Sequence, residues 1–193
     1  MKTMKQLITA VAILLSVQVF AISDIQIRTN GNSEVIIEAN KTTGEESIRI
    51  FDEKGTMLFF EKINKDKYVR TFKLSTLPNG KYFVEYENDS KINTAVILKK
   101  GDDIIVTSNF NQVSFKPMIN QNGDYLSVGL TNPQLKNVSM SITDEKGFEL
   151  TEIKTKNEMF VKKTFNTARL PKGDYSVQVK CGKESFTKLI SIQ

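Results

Sequence analysis

The stretch Leu77-Pro78-Asn79-Gly80-Lys81-Tyr82 decides the fold, because it returns as Leu170-Pro171-Lys172-Gly173-Asp174-Tyr175. Each copy reads as a turn that feeds a strand. Proline presets φ at the first central position, Asn79 or Lys172 fills the second, and Gly80 or Gly173 takes the positive φ that other side chains resist. Beyond the turn, Tyr82, Val84 and Tyr86 alternate onto one face, as do Tyr175, Val177 and Val179 in the second copy. A period of two marks a half-buried β-strand.

Working outward, the repetition extends well beyond the turn. Ile48, Ile50 and Asp52-Glu53-Lys54-Gly55 align with Met140, Ile142 and Asp144-Glu145-Lys146-Gly147, and further on Phe72 meets Phe165, Thr94 meets Thr187 and Ile97 meets Ile190. An internal duplication of this length implies two copies of one fold. Alternating segments recur at short intervals in each copy, seven in the first from Ile25 to Lys99 and seven in the second from Val113 to Ile192. The expected architecture is all-β: two tandem antiparallel β-sandwich domains of immunoglobulin-like size, residues 22–105 and 110–193, behind a signal peptide over residues 1–21.

Asp52 to Gly55 and Asp144 to Gly147 lie between apolar alternations and read as hairpin loops, with the aspartate capping its own turn and Gly55 or Gly147 free to take positive φ. As cation loops they are poor, since Ca²⁺ takes about six to eight oxygens and each loop offers two carboxylates. Between the copies, Lys99-Lys100-Gly101-Asp102-Asp103 interrupts the apolar pattern. It reads as a solvated linker, with a cation bridged by Asp102 and Asp103 as the weaker alternative.

The N-terminus carries Lys2 and Lys5, an apolar run from Leu7 to Phe20, and Ala21 with Val19 two positions before it. Basic, apolar and small-residue regions in that order form a secretory signal peptide cleaved near Ala21. The run is shorter than the ~20 residues a membrane-spanning helix needs. Cleavage there removes two of 27 basic residues and none of 22 acidic ones, leaving only three excess positive charges. Apart from Lys99-Lys100 and Lys162-Lys163, the lysines are scattered among acids. A nucleic-acid surface would need a basic stripe with interleaved aromatics, and none is present.

The single cysteine, Cys181, excludes an intrachain disulfide and a thiolate metal cage. The chain has no histidine, which removes the usual general base and most catalytic triads. Glycines are isolated in turns, so no phosphate loop is formed. Adjacent acids such as Glu45-Glu46 point to opposite faces of an extended chain and do not make a carboxylate pair. No cofactor, metal or catalytic residue is expected, and the protein reads as non-enzymatic. Phe59-Phe60 and Tyr82-Phe83 each place neighbouring rings on opposite faces, so one of each pair is a candidate for a contact patch.

The segments Ile48 to Gly55, Phe72 to Val84 and Val96 to Lys99 together resemble the C-terminal sorting domain of the type IX secretion system (Por) of Bacteroidetes. The second copy repeats the resemblance with Asp144 to Gly147, Leu170 to Tyr175 and the closing Lys188-Leu189-Ile190-Ser191-Ile192. The resemblance implies a small β-sandwich that carries a protein across the outer membrane. Because a signal read at the C-terminus cannot be internal, it assigns the sorting role to the second copy, through Leu170, Pro171, Gly173, Tyr175, Lys188, Leu189 and Ile190. Leu77, Pro78, Gly80 and Tyr82, with Asp52, Gly55, Asp144 and Gly147, are then structural turn residues. Two readings of function follow. One is an exported protein of the cell surface or medium that passes through the periplasm and meets the secretion machinery. The other is a secreted adhesin module that binds an envelope protein or glycan and has no sorting role.

Overall fold

The computed structural model describes residues 25–31, 33–42 and 44–193. The expected signal peptide and its cleavage point lie outside the described residues. Fifteen strands follow in order: β1 (Ile25–Thr29), β2 (Glu34–Asn40), β3 (Ser47–Asp52), β4 (Met57–Lys62), β5 (Lys67–Lys73), β6 (Gly80–Glu87), β7 (Lys91–Lys100), β8 (Asp103–Phe115), β9 (Met118–Asn122), β10 (Tyr125–Thr131), β11 (Val138–Asp144), β12 (Glu149–Thr155), β13 (Phe160–Asn166), β14 (Gly173–Cys181) and β15 (Glu184–Ile192). No helix occurs among the described residues. The fold is all-β and immunoglobulin-like.

Strand order explains the likeness. β1-β2-β5 faces β4-β3-β6-β7-β8 in the first half, and β9-β10-β13 faces β12-β11-β14-β15 in the second. The alternation read from sequence is the alternation that packs. Ile27, Val35 and Ile37 from the small sheet meet Ile48, Ile50, Val84 and Ile97 from the large one in the first core. In the second core, Ile119, Leu126, Val128 and Leu130 meet Met140, Ile142, Val177 and Val179. Each buried side chain of this kind contributes roughly 1.5–3 kcal/mol by leaving water, which is what holds two small sandwiches without a crosslink. Cys181 is a buried free thiol at the end of β14.

The element that sequence alternation does not announce is β8. Lys100 and Asp103 pair across the Gly101 turn, so the polar stretch expected as a linker is a tight reversal, and β8 returns along the whole of β7 as far as Lys91 opposite Phe115. Ile104 and Val106 pack on the first core, Phe110 is buried in it, and Phe115 packs on the second. Val113 to Phe115 therefore complete a strand of the first sheet, whereas the sequence reads them as opening the second copy. Pro117 breaks the run, since it has no N–H to donate, and β9 starts at Met118. Where β8 ends, Lys116 is held to the first half, its N donating to Ser90 O at 2.8 Å and its Nζ pairing with Glu87 at 2.6 Å, and Ser114 Oγ of β8 reaches the second half by donating to Glu184 Oε1 at 2.5 Å.

Candidate functional site

The doubled turn is built on a tyrosine. Tyr82 is buried at the start of β6 and donates its phenolic O–H to Pro78 O at 2.6 Å, and Tyr175 donates to Pro171 O at 2.7 Å. This is the tyrosine corner of immunoglobulin-like sandwiches, in which a strand-opening tyrosine ties back to the backbone just upstream. The hydrogen-bonded turn closes a step earlier than the sequence places it, with Leu77 N bonding Leu74 O at 3.0 Å and Leu170 N bonding Thr167 O at 2.9 Å. Pro78-Asn79 and Pro171-Lys172 then form the bend, and Gly80 and Gly173 open their strands at φ +154° and +153°. Leu77 and Leu170 pack against their respective cores. Burial of the Tyr82 ring, and then the charges of Asp52 and Glu53, push its phenol pKa up.

Asp52 and Asp144 sit at identical hairpins. Asp52 Oδ1 accepts from Lys54 N at 2.9 Å and Thr56 N at 2.8 Å, and Asp144 Oδ1 accepts from Lys146 N and Phe148 N at the same two distances. Gly55 and Gly147, at φ +83° and +81°, allow each loop to close on the backbone of its aspartate. The backbone N–H of Thr56, above all, holds the Asp52 carboxyl below its ordinary pKa. Each carboxylate is thus committed to its own turn. Asp102 lies in the β7–β8 reversal, where its backbone O accepts from Ser33 Oγ at 2.9 Å. Among the described residues, no group of three or more acids or thiols is placed to hold a metal ion.

Lys188, Leu189 and Ile190 all fall on β15. Ile190 is buried, Leu189 is 75% exposed, and Lys188 reaches across the open side of the sandwich to donate from Nζ to Ile119 O on β9 at 2.8 Å. Among the described residues, β15 pairs with β14 alone. Its counterpart β7 lies between β6 and β8. Among the described residues the second half therefore presents an open sheet edge where the first presents a covered one.

Several polar residues take roles in the structure that the sequence does not assign them. Glu46 is buried and accepts from Thr42 N at 2.7 Å and Thr42 Oγ1 at 2.5 Å. Beside it, burial and then the Glu46 charge push the Tyr86 phenol up to about 12. Arg49 on β3 pairs with Glu85 and Glu87 on the neighbouring β6. Burial also raises the Cys181 thiol, whose Sγ lies 3.7 Å from Asn132 Oδ1. These groups stabilise loops and strand ends; a thiol held protonated in a histidine-free chain is not an activated nucleophile. The aromatic pairs divide as alternation requires. Phe59 packs on the first core and meets Phe72 edge-on at 4.9 Å, whereas Phe60 is 52% exposed.

The secretion system C-terminal sorting domain family matches residues 29–100 and again 120–193. No curated protein matches the chain. Similar solved structures include a two-domain fibronectin type-III segment of chicken tenascin, 9% identical over 88% of this chain and 98% of that one, with a TM-score of 0.33. A biofilm-associated protein, BSP domain, is 13% identical over 88% of this chain and 30% of its own, with a TM-score of 0.31. A Lactobacillus rhamnosus beta-glucuronidase is 12% identical over 84% and 36%, again with a TM-score of 0.31.

Proposed function

From a chain that belongs to the secretion system C-terminal sorting domain family through both of its copies, we propose a non-enzymatic exported protein of the cell surface or medium whose second copy, from Met118 onward, is read as a type IX sorting signal. The observation that carries this reading is the contrast between the two closing strands. Both copies have the Leu-Pro-x-Gly-x-Tyr corner, but among the described residues β7 is paired on both sides and β15 on one. A receptor can add its own strand only to backbone groups left unpaired, which leaves β15 accessible and β7 covered. Its partner in this reading is the secretion machinery.

Deleting Lys188–Gln193 tests the assignment, with cell fractionation and intact-mass measurement of each fraction as the readout. Retention in the periplasm is expected. Disrupting Val96–Lys99 should instead lower stability and leave sorting in place. Normal arrival of the truncated protein at the surface or in the medium overturns the sorting role. The second reading, a binding module for an envelope protein or glycan, is favoured by the exposed rings of Phe60, Phe148 and Phe160. It predicts export that is indifferent to the terminus and binding lost when those rings are replaced.

A further inference from the structure

The two copies close the same gap by different means. Val84 pairs with Ala95 in the first and Val177 with Lys188 in the second, so Lys188 stands where Ala95 stands. Ile37 pairs with Ile27 and Val128 with Ile119, which makes Ile27 and Ile119 equivalent on the outer edge of the facing sheet. In the first copy this gap is filled by β8. Asn109 to Asn111 bulge opposite the single residue Ala95, Phe110 at φ +53° enters the core, and Asn109 Oδ1 accepts from Ile27 N at 3.3 Å. In the second copy no strand enters among the described residues, and Lys188 Nζ donates to the backbone carbonyl of Ile119, the residue equivalent to Ile27, whose N–H is the group engaged in the first copy.

We propose that the edge between β15 and β9 is a strand-accepting site with Lys188 as its removable latch, and that its occupant is an extended antiparallel segment of another protein patterned like β8. This deepens the reading of β15 as the docking edge. The occupant's chemistry is given by the chain's own example: apolar residues at alternate positions, as Ile104 and Val106, then an aromatic four residues on, as Phe110. Backbone pairing to β15 supplies affinity and the side chains that enter the gap supply specificity. Alanine at position 95 leaves room for the Phe110 ring. Lysine at position 188 spans the mouth of the equivalent opening, its Nζ on Ile119 O, until it swings out.

The test is a synthetic peptide of the β8 sequence, Asp103–Phe115, added to the purified full chain, with amide hydrogen exchange read along β15. Slowed exchange at alternate β15 amides is expected. Lys188→Ala should bind the peptide several-fold more tightly than the parent, and the peptide carrying Phe110→Ala should lose binding. Lys188→Met, which keeps the apolar stem but not the bond to Ile119, guards against a folding defect and should also bind more tightly than the parent. Exchange unchanged at β15, protection at β4 or β12 instead, or equal affinity of parent and both variants overturns the proposal. So does self-association through β15 in sedimentation, which would make a second copy the occupant. A protein that binds the peptide yet is exported without its terminus keeps the strand site and loses the sorting reading; the opposite pair of results does the reverse.

Discussion

Tyr175 holds Pro171 by a 2.7 Å hydrogen bond from its phenol to the proline carbonyl, and Tyr82 holds Pro78 in the same way. One bond therefore fixes the angle at which each chain enters the central strand of its larger sheet. Replacing either tyrosine by phenylalanine keeps the buried ring and removes only the bond. We expect each variant to lose about 1 kcal/mol, the usual net worth of such a bond, in urea unfolding. Loss well below that value at both positions would show that the ring alone sets the corner.

Gly80 and Gly173 share a backbone conformation, φ +154° and +153°, that L side chains rarely adopt. A Cβ at either position would meet nothing within 4 Å, so the cost of Gly→Ala is conformational and not steric crowding. Each alanine variant should destabilise by ~1 kcal/mol or more. Two neutral variants in chemical denaturation would contradict the requirement for glycine.

Phe110 is buried on the bulge of β8. Phe110→Ala should cost the first core about 3–5 kcal/mol, the range for deleting a buried ring. The second core should be affected far less, which domain-resolved hydrogen exchange can separate. Equal protection lost in both halves would mean that the two unfold as one unit.

Asp52 predicts a small acid sensitivity. Its folded pKa lies below the ordinary 3.8 because the N–H groups of Thr56 and Lys54 favour the charged form. A depressed carboxylate stabilises the fold above its unfolded pKa, and that contribution is lost as pH falls through the folded value. Asp52→Asn can still accept both bonds but carries no charge, so it should flatten stability against pH below about 4 relative to the parent. Parallel pH profiles for parent and variant would refute the assignment.

Much of this protein is legible in its sequence, because a half-buried strand must alternate and a tight turn must use particular residues. The doubled Leu-Pro-x-Gly-x-Tyr stretch, the Asp-Glu-Lys-Gly hairpins and the inward sets of Val84 and Val177 determine two all-β copies with nearly correct strand boundaries. They also place the buried tyrosines. Only the tertiary structure decided what stands beside the closing strands. β8 looks like a linker followed by a new strand because Gly101-Asp102-Asp103 is polar, and its pairing with β7 depends on a bulge that lets Phe110 reach the core. Lys188 likewise reads as one surface lysine among many until β15 lies next to β9 and its ammonium meets the Ile119 carbonyl. Alternation is local and survives in the sequence, whereas a sheet edge is defined by what does not pair with it, and that is settled only when the strands are assembled.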